Sequence, residues 1–169
     1  MKLDVGTRIL GVDPGSRATG YGLVCLEGSR IRYESSGTIV IRRSLPFPDR
    51  LLAVHDALAA LIEELDPDEV AVESAFVRKS ALAALQIGHV RGVILLAARR
   101  SRATIYEYTA PEVKLAVASQ GAAAKQQVAF MVRRLLPGVR AVTEDEADAL
   151  AVALCHAHRA PGRALRIRR

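Results

Sequence analysis

A short apolar run that ends in an acid constrains the fold more than any other feature of this sequence. Residues 9–12 are Ile-Leu-Gly-Val, and they are followed by Asp13 and then by Pro14, Gly15 and Ser16. Such a run predicts a buried strand, and proline with glycine predicts a sharp turn at its end. A carboxylate at the tip of a buried strand loses hydration, which costs free energy unless a positive charge compensates. A metal ion is the usual compensator for an acid held in this way.

A second run of residues that favour β structure also ends in a carboxylate. It covers residues 69–73 and ends at Glu73, and Pro67 separates it from the helical pattern before it. We therefore expect Glu73 to lie at a strand end, as Asp13 does.

A third acidic segment predicts the start of a helix. Thr143 and Glu146 fit a capping box. Asp145 and Asp148 are three residues apart, so they share one helical face. A separate apolar stripe, Ala147, Leu150, Ala151 and Leu154, is expected to face the core. The two aspartates then lie at the edge of that stripe, where a cleft is able to form.

Two strand-end acids and one aspartate pair predict a cluster of four carboxylates. Carboxylates brought together repel, so the cluster is costly without a cation. Oxygen ligands suit Mg²⁺ or Mn²⁺ rather than zinc. Two such ions about 3.5–4 Å apart serve displacement at a phosphodiester, where one activates water and the other stabilises the leaving 3′ oxygen.

These motifs, in this order and spacing, resemble the RuvC-type Holliday-junction resolvases, bacterial endonucleases with the ribonuclease H fold. The matching stretches are residues 9–22, 72–76, 80–92, 113–114, 121–128 and 145–151. The resemblance implies that Asp13, Glu73, Asp145 and Asp148 are the catalytic acids and hold two Mg²⁺ ions per active site, with Mn²⁺ able to substitute. It also implies an α/β fold, in which helices flank a mixed sheet of three antiparallel and then two parallel strands.

The same resemblance implies a structure-selective DNA endonuclease of recombination and repair. It would resolve four-way junctions by paired symmetric nicks that leave 5′ phosphate and 3′ hydroxyl ends. The implied partners are a second copy of the chain and the RuvA–RuvB branch-migration complex. A homodimer suits this substrate, because two identical sites then meet two equivalent strands. Two departures are visible: Ser119 stands where the family is expected to carry glycine, and the tail after His158 does not match the family.

Five further residues are candidates for contact with DNA: Phe76, Arg78, Lys79, Lys114 and Lys125. Lys114 and Lys125 are predicted near helix starts, where an ammonium and outward N–H groups form a phosphate site; a solvated lysine is the alternative. Arg78 and Lys79 are expected either to contact the DNA backbone or only to solvate the loop that carries them. Phe76 is a wedge that stacks on a junction base, or its ring folds back over the sheet edge.

Composition agrees with a nucleic-acid partner without identifying one. The 169 residues carry a formal charge of +6, which favours polyanions, although many small basic proteins bind nothing specific. Aromatic residues make up 4% and tryptophan is absent, which argues against a stacking platform for single strands. Cys25 and Cys155 show no metal-site spacing and are predicted to be buried thiols.

Periodicity and turn signals predict one α/β domain over residues 1–169, with a basic tail from about residue 159 that either binds DNA or is disordered. Predicted strands cover 8–13, 20–26, 30–41, 69–73 and 104–108, and predicted helices cover 49–65, 79–100, 111–118, 124–136 and a last one from 143. Asp49 is the expected N-cap of the first helix. Thr109 and Glu112 fit a capping box. Apolar stretches such as 93–98 are too short to cross a membrane, so we expect a cytoplasmic protein.

Two glycines and four histidines have competing interpretations. Gly88 and Gly92 lie in a helical run, where each costs about 1 kcal/mol. Another backbone must therefore come close, through internal packing or through a dimer, and the family favours the dimer. The histidines at 55, 89, 156 and 158 are expected to be surface or capping residues rather than ligands.

Three other functions share part of the pattern. A non-catalytic DNA-junction binding protein would not need four carboxylates, which repel phosphates when no metal is present. A ribonuclease H acting on RNA–DNA hybrids shares the acids but should not need a two-fold dimer. The segment 13–20 also resembles the phosphate loop of actin-like ATPases and sugar kinases. Those proteins need two lobes, which 169 residues cannot supply.

Overall fold

The structure is a computed structural model that describes residues 6–15, 17–74, 80–139 and 142–159. This part of the chain forms one mixed sheet flanked by helices. The strands are β1 (Thr7–Asp13), β2 (Ala18–Glu27), β3 (Arg30–Val40), β4 (Glu69–Ser74) and β5 (Thr104–Thr109). The helices are α1 (Phe47–Leu65), α2 (Ala81–Arg99), α3 (Ala110–Ala118), α4 (Lys125–Leu135) and α5 (Glu144–Arg159).

The strand order is β3-β2-β1-β4-β5, with β1, β2 and β3 antiparallel and with β4 parallel to both β1 and β5. Short turns join the first three strands, which only an antiparallel arrangement permits, and helical crossovers lead to the parallel pair. The predicted five-stranded ribonuclease H-like sheet is confirmed. The register pairs Val12 with Val72, so the next residues, Asp13 and Glu73, lie side by side near the same end of two neighbouring strands.

Two hydrophobic cores lie on opposite faces of the sheet. Ile9 and Ala71 contribute to the core beneath α3, α4 and α5, whereas Leu10 and Val70 contribute to the core beneath α1 and α2. Successive residues of a strand point to opposite faces, which is why adjacent residues of β1 and β4 serve different cores. The apolar stripe predicted for the last helix is buried, and its exposed fraction nowhere exceeds 2%.

Glycines in β1 and β2 allow α5 to lie directly on the sheet. A Cβ at Gly11 would lie 2.1 Å from the Ala149 carbonyl oxygen, and one at Gly20 would lie 2.0 Å from the Asp145 carbonyl oxygen. Real Cβ atoms do not approach backbone atoms so closely, so any side chain at these positions would push the helix away. The glycines therefore fix how near the acids of α5 come to the strand ends.

The helix starts agree with the sequence in one case and correct it in another. Thr109 and Glu112 form the predicted capping box at the start of α3. Asp49 is not the N-cap of α1, because the helix begins at Phe47 with Pro46 as a cap that makes no side-chain hydrogen bond. Proline fixes a φ angle suited to a first helical turn. Asp49 lies in that first turn, where the helix dipole favours a carboxylate.

One helix of the described residues, α2, is long and apolar enough to span a membrane by length and composition alone, with a mean hydropathy of 1.6. The sequence prediction considered only unbroken apolar runs, which are too short to span a membrane. The whole of α2, with its polar residues included, is long and apolar enough. A single such helix is weak support for a span. Val90 and Ile94 are buried in the α1–α2 core, and the Arg91 Nε donates to Glu107 on β5 at 2.7 Å.

Candidate active site

The ends of β1 and β4 place two acids side by side. Asp13 is the last residue of β1, and Glu73 lies one residue before the end of β4. Both line a cleft of about 210 Å³ that is also lined by Asp148, Lys114 and Lys125. The cleft therefore combines three carboxylates with two ammonium groups.

The first two turns of α5 bring the aspartate pair to these strand ends. The Asp145 backbone packs against Gly20, and Gly20 is the residue that pairs with Asp13 between β1 and β2. Asp148 lies one turn further along the helix, with its side chain 20% exposed at the cleft. The structure thus gathers Asp13, Glu73, Asp145 and Asp148, which come from three separate segments of the sequence.

The four acids interact electrostatically. Burial raises the pKa of Asp13 from 3.8 to about 8, and the negative charges of Glu73, Asp148 and Asp145 add to the rise while Lys125 opposes it. The pKa of Glu73 is also raised, first by burial and then by Asp148. Such mutual repulsion is what close carboxylates experience when no cation lies between them.

Two lysines face the cluster from the helices that border it. Lys125 is the first residue of α4, and its Nζ donates to the Asp148 Oδ2 at 2.8 Å. That hydrogen bond raises the pKa of Lys125. Lys114 on α3 lowers the pKa of Glu73 through its positive charge, against the larger effect of burial. Both lysines predicted as DNA contacts therefore lie at the acid cluster.

The loop between α3 and α4 holds Lys125 in place, and Ser119 begins it. Ser119 is the C-cap of α3 and adopts a left-handed backbone conformation, with φ 58° and ψ 13°. Glycine is the usual residue at such a helix end. Ser119 therefore adopts a backbone conformation typical of glycine, the residue expected at this position, at some cost in strain.

The donor set of the cluster suits a hard divalent cation. Carboxylate oxygens are the ligands that Mg²⁺ and Mn²⁺ prefer, and burial together with the neighbouring acids raises the pKa of Asp13. Among the residues that the structure describes, no three carboxylate, imidazole or thiol groups stand together as a formed metal site. Lys125, bound to Asp148, supplies part of the positive charge instead.

Three predicted DNA contacts, Phe76, Arg78 and Lys79, lie outside the described residues, directly after β4. The structure adds one basic residue near the acids that the sequence analysis did not single out. Arg133 lies on α4 and lines a second groove of about 210 Å³, which shares Lys125 and Asp148 with the acid cleft. Arg133 follows Lys125 by eight residues, which is close to two helical turns. This spacing was the signal in the sequence that both residues lie near one face of the helix.

The histidines lie away from the acid cleft. His156 was expected at the surface or at a helix end, but it is fully buried, with Nδ1 2.9 Å from the Tyr108 hydroxyl and Nε2 2.5 Å from Glu69. A hydrogen-bonded network of this kind satisfies a buried imidazole. Cys25 and Cys155 are buried free thiols, as predicted.

Comparison with known proteins identifies the family of the chain. The family model for "Crossover junction endodeoxyribonuclease RuvC" matches residues 9–156. The relative of that name from Syntrophotalea carbinolica is 50% identical over 89% of this chain and 94% of its own length. The one from Acidiphilium cryptum is 46% identical over 92% of this chain and 93% of its own.

Solved structures show the same fold. The Thermus thermophilus RuvC structure superposes with a TM-score of 0.83 at 32% identity, covering 92% of this chain and 96% of that one. T. thermophilus RuvC in complex with a Holliday junction substrate also gives 0.83 at 32% identity, over 91% and 94% of the two chains. The yeast mitochondrial Holliday junction resolvase Ydc2, at 17% identity and a TM-score of 0.67, shares the fold. On its sequence, its sheet and its match to the family model, the chain belongs to the RuvC family of crossover junction endodeoxyribonucleases.

Proposed function

We propose that the chain resolves Holliday junctions as a metal-dependent DNA endonuclease. The observation that carries the proposal is the convergence of Asp13, Glu73 and Asp148 in one cleft, with the Asp145 backbone packed beside the Asp13 strand pair. The same fold binds a Holliday junction substrate in the T. thermophilus relative. The activity named for the curated relatives, crossover junction endodeoxyribonuclease, is therefore the one we assign to this chain.

We infer that Asp13, Glu73, Asp145 and Asp148 are the catalytic acids and would hold two Mg²⁺ ions, with Mn²⁺ as a substitute. When bound, such ions supply an activated water and charge stabilisation for the leaving 3′ oxygen, so that the nick carries a 5′ phosphate and a 3′ hydroxyl. The chain's own contribution is to bury Asp13 at a strand end and to exclude bulk water from it. Binding of a metal requires a deprotonated carboxylate, so the raised pKa of Asp13 makes that binding pH-dependent.

Lys114 and Lys125 are placed to hold the DNA backbone beside the acids. Both ammonium groups line the cleft, and phosphates are held chiefly by such charged, sequence-independent contacts. Lys125 is bonded to Asp148 in the structure, so it is available to a phosphate when a metal ion takes over the charge of that acid. Phe76, Arg78 and Lys79 remain proposed contacts of the segment after β4.

We infer that two copies of the chain act together through α2. Leu82, Leu85 and Leu96 are 64%, 60% and 59% exposed on this helix. Leu85 and Leu96 line a shallow apolar groove together with Gly88 and Gly92. A Cβ at either glycine would meet nothing within 4 Å, so internal packing of the described residues does not explain these glycines. An apolar face with a glycine groove suits close approach of the same helix from a second copy. Paired symmetric nicks then follow from two equivalent sites.

The other functions weighed from the sequence have less support. A junction binder without catalysis does not account for an Asp13 placed beside three other acids, where burial first and the neighbouring acids second raise its pKa to about 8. A ribonuclease H would leave the apolar face of α2 without a role. An interaction with the RuvA–RuvB complex and a cytoplasmic location are proposed from the family alone.

One assay separates these functions. The chain is incubated with Mg²⁺ and, in parallel, with a mobile four-way junction, a linear duplex of the same sequence and an RNA–DNA hybrid, and the products are separated on denaturing gels. We expect symmetric nicks in the junction alone, and none with EDTA. Cleavage of the hybrid in preference to the junction would contradict the proposal, and binding of the junction without any cleavage would favour the non-catalytic alternative.

A further inference from the structure

Glu146 stands between the two aspartates of α5 and is tied to the far edge of the sheet. Its Oε2 accepts a hydrogen bond from the Ser36 hydroxyl at 2.8 Å, and its Oε1 accepts one from the Thr143 hydroxyl at 3.2 Å. Thr143 in turn accepts from the Glu146 backbone N–H at 3.2 Å and so begins the helix. Glu146 is therefore both a helix-capping residue and one end of a bridge to β3.

The bridge to β3 is made of more than one contact. The Tyr33 hydroxyl lies 3.1 Å from the Ser36 hydroxyl, and the Thr38 hydroxyl lies 3.3 Å from that of Thr143. The Ser36–Glu146 bond is partly buried, so water competes with it less than at an open surface. Together these side chains fasten the first turn of α5 to the edge strand of the sheet.

The position of that first turn decides where the catalytic acids lie. The Asp145 carbonyl oxygen occupies the space that a Cβ of Gly20 would need, and Gly20 pairs with Asp13. The charges of Asp145 and Asp148 raise the pKa of Asp13, and that of Asp148 raises the pKa of Glu73, so close approach of this turn to the strand ends is unfavourable without a cation. The Ser36–Glu146 hydrogen bond ties the same turn to β3 and so opposes its separation from the sheet.

We propose that Glu146 is a positioning residue for the metal site, and that the Ser36–Glu146 hydrogen bond holds Asp145 and Asp148 at the distance from Asp13 that a divalent cation needs. This inference rests on the proposed function. It adds a residue outside the four acids and gives a reason for a polar chain of contacts between β3 and α5. Groups that orient metal ligands change metal affinity by about 10–100-fold when they are removed.

The test measures metal binding by the whole chain without DNA. Isothermal titration with Mn²⁺ is carried out on the parent and on Ser36→Ala, Glu146→Ala and Glu146→Gln. We expect the Mn²⁺ dissociation constant to rise about tenfold in both alanine variants. Glu146→Gln keeps one accepting oxygen for the Ser36 hydroxyl and presents an amide N–H to Thr143, whose hydroxyl oxygen is able to accept it, so its affinity should stay within about threefold of the parent.

Controls separate positioning from charge and from folding. Glu144→Gln removes the same charge from the first turn of the same helix, and it should leave Mn²⁺ binding within about twofold. The double variant of Ser36→Ala with Glu146→Ala should bind Mn²⁺ no more weakly than Glu146→Ala alone, because both changes break one bond. Junction binding in EDTA, measured by gel shift, should stay at the parental level in Ser36→Ala, and it should persist or tighten in the variants that lose a negative charge.

Each of the following results would overturn the inference. Lower melting temperatures with unchanged Mn²⁺ affinity would mean that Glu146 only caps the helix. Equal loss of affinity in Glu144→Gln and Glu146→Gln would mean that charge alone matters. If the parent cleaves the junction and all variants bind Mn²⁺ as tightly as the parent, only this inference is refuted. If the parent neither binds Mn²⁺ nor cleaves the junction, the proposed function is refuted as well.

Discussion

The Lys125 ammonium lies 2.8 Å from the Asp148 carboxylate, so a DNA-binding candidate and a metal-binding candidate neutralise one another in the metal-free chain. Lys125 does not neutralise the whole acid cluster, because its charge only partly offsets the rise in the pKa of Asp13. The acid cluster therefore carries repulsion that a cation would remove. Stability, metal binding and cleavage should all reflect that repulsion.

The metal-free chain should lose stability as the pH rises. Asp13 has a pKa of about 8 when folded, against 3.8 ordinarily, so the folded state binds its proton more tightly. That contribution is complete below about pH 3.8 and is lost as the pH rises through about 8. We expect the melting temperature in EDTA to fall between pH 5 and pH 9 in the parent, and to fall less in Asp13→Asn.

The titration of Glu112 does not interfere with this measurement of stability against pH. Its pKa is lowered to about 2, first by the hydrogen bond from the Thr109 backbone and also by Arg159, so its contribution is complete above about pH 4.5. Saturating Mg²⁺ should remove most of the pH dependence of the parent. An equal fall in the parent and in Asp13→Asn would show that Asp13 is not the group responsible.

Asp13→Asn should also abolish cleavage while leaving the junction bound. The amide keeps the size of the side chain but removes the charge that a metal ion needs. Junction binding should persist or tighten, because one negative charge near the phosphates is gone. Gel shift with Ca²⁺ and cleavage with Mg²⁺ are measured on one preparation. Cleavage within tenfold of the parent at saturating Mg²⁺ would show that Asp13 is not essential.

Gly92→Leu should convert a dimer to a monomer without harming the fold. No atom lies within 4 Å of a Cβ at Gly92, and leucine is the better helix former by up to about 1 kcal/mol. A shift in sedimentation velocity at micromolar concentration, with an unchanged or higher melting temperature, is the expected result. Arg99→Leu, exposed at the end of the same helix, controls for an added leucine and should remain dimeric. A parent that sediments as a monomer and still makes paired nicks would refute the role of α2.

Much of this arrangement was accessible from the sequence because its signals are local. Strand-end acids, the Thr109–Glu112 capping box and the short connections between the first three strands all depend on neighbouring residues. The structure adds what depends on distant ones. The Ser36–Glu146 bond joins residues 110 positions apart, and no periodicity marks it.

The errors have the same origin. His156 looks like a helix-end residue in sequence, but packing against β4 and β5 buries it with Glu69 and Tyr108 as partners. Asp49 has the chemistry of an N-cap, but the proline in the first turn sets an earlier start. The glycines of β1 and β2 have a reason only once α5 is seen to lie on them.

Ser119→Gly should stabilise the chain. Ser119 has a φ of 58°, a left-handed conformation that costs a residue with a Cβ about 1 kcal/mol more than glycine. We expect the free energy of unfolding to rise by about 0.5–1 kcal/mol in urea denaturation, with cleavage retained because the loop before Lys125 keeps its geometry. Ser119→Ala keeps the strain and should give no gain. Equal stability in the glycine and alanine variants would show that strain at this position is negligible.

Arg133 should act as one phosphate contact beyond the acid cleft. Arg133 lines a groove beside the acid cleft, and Lys125 and Asp148 line both the groove and the cleft. Glu144 also lines the groove, and its negative charge opposes the binding of DNA there. Arg133→Gln should weaken junction binding several-fold, and the slope of log K against log salt should fall by about 0.9. Arg134→Gln is the matched control, because it removes the same charge from an exposed neighbour that does not line the groove. Its slope should stay closer to that of the parent. Equal slopes for the two variants would show that Arg133 contributes only to overall charge and does not contact a phosphate.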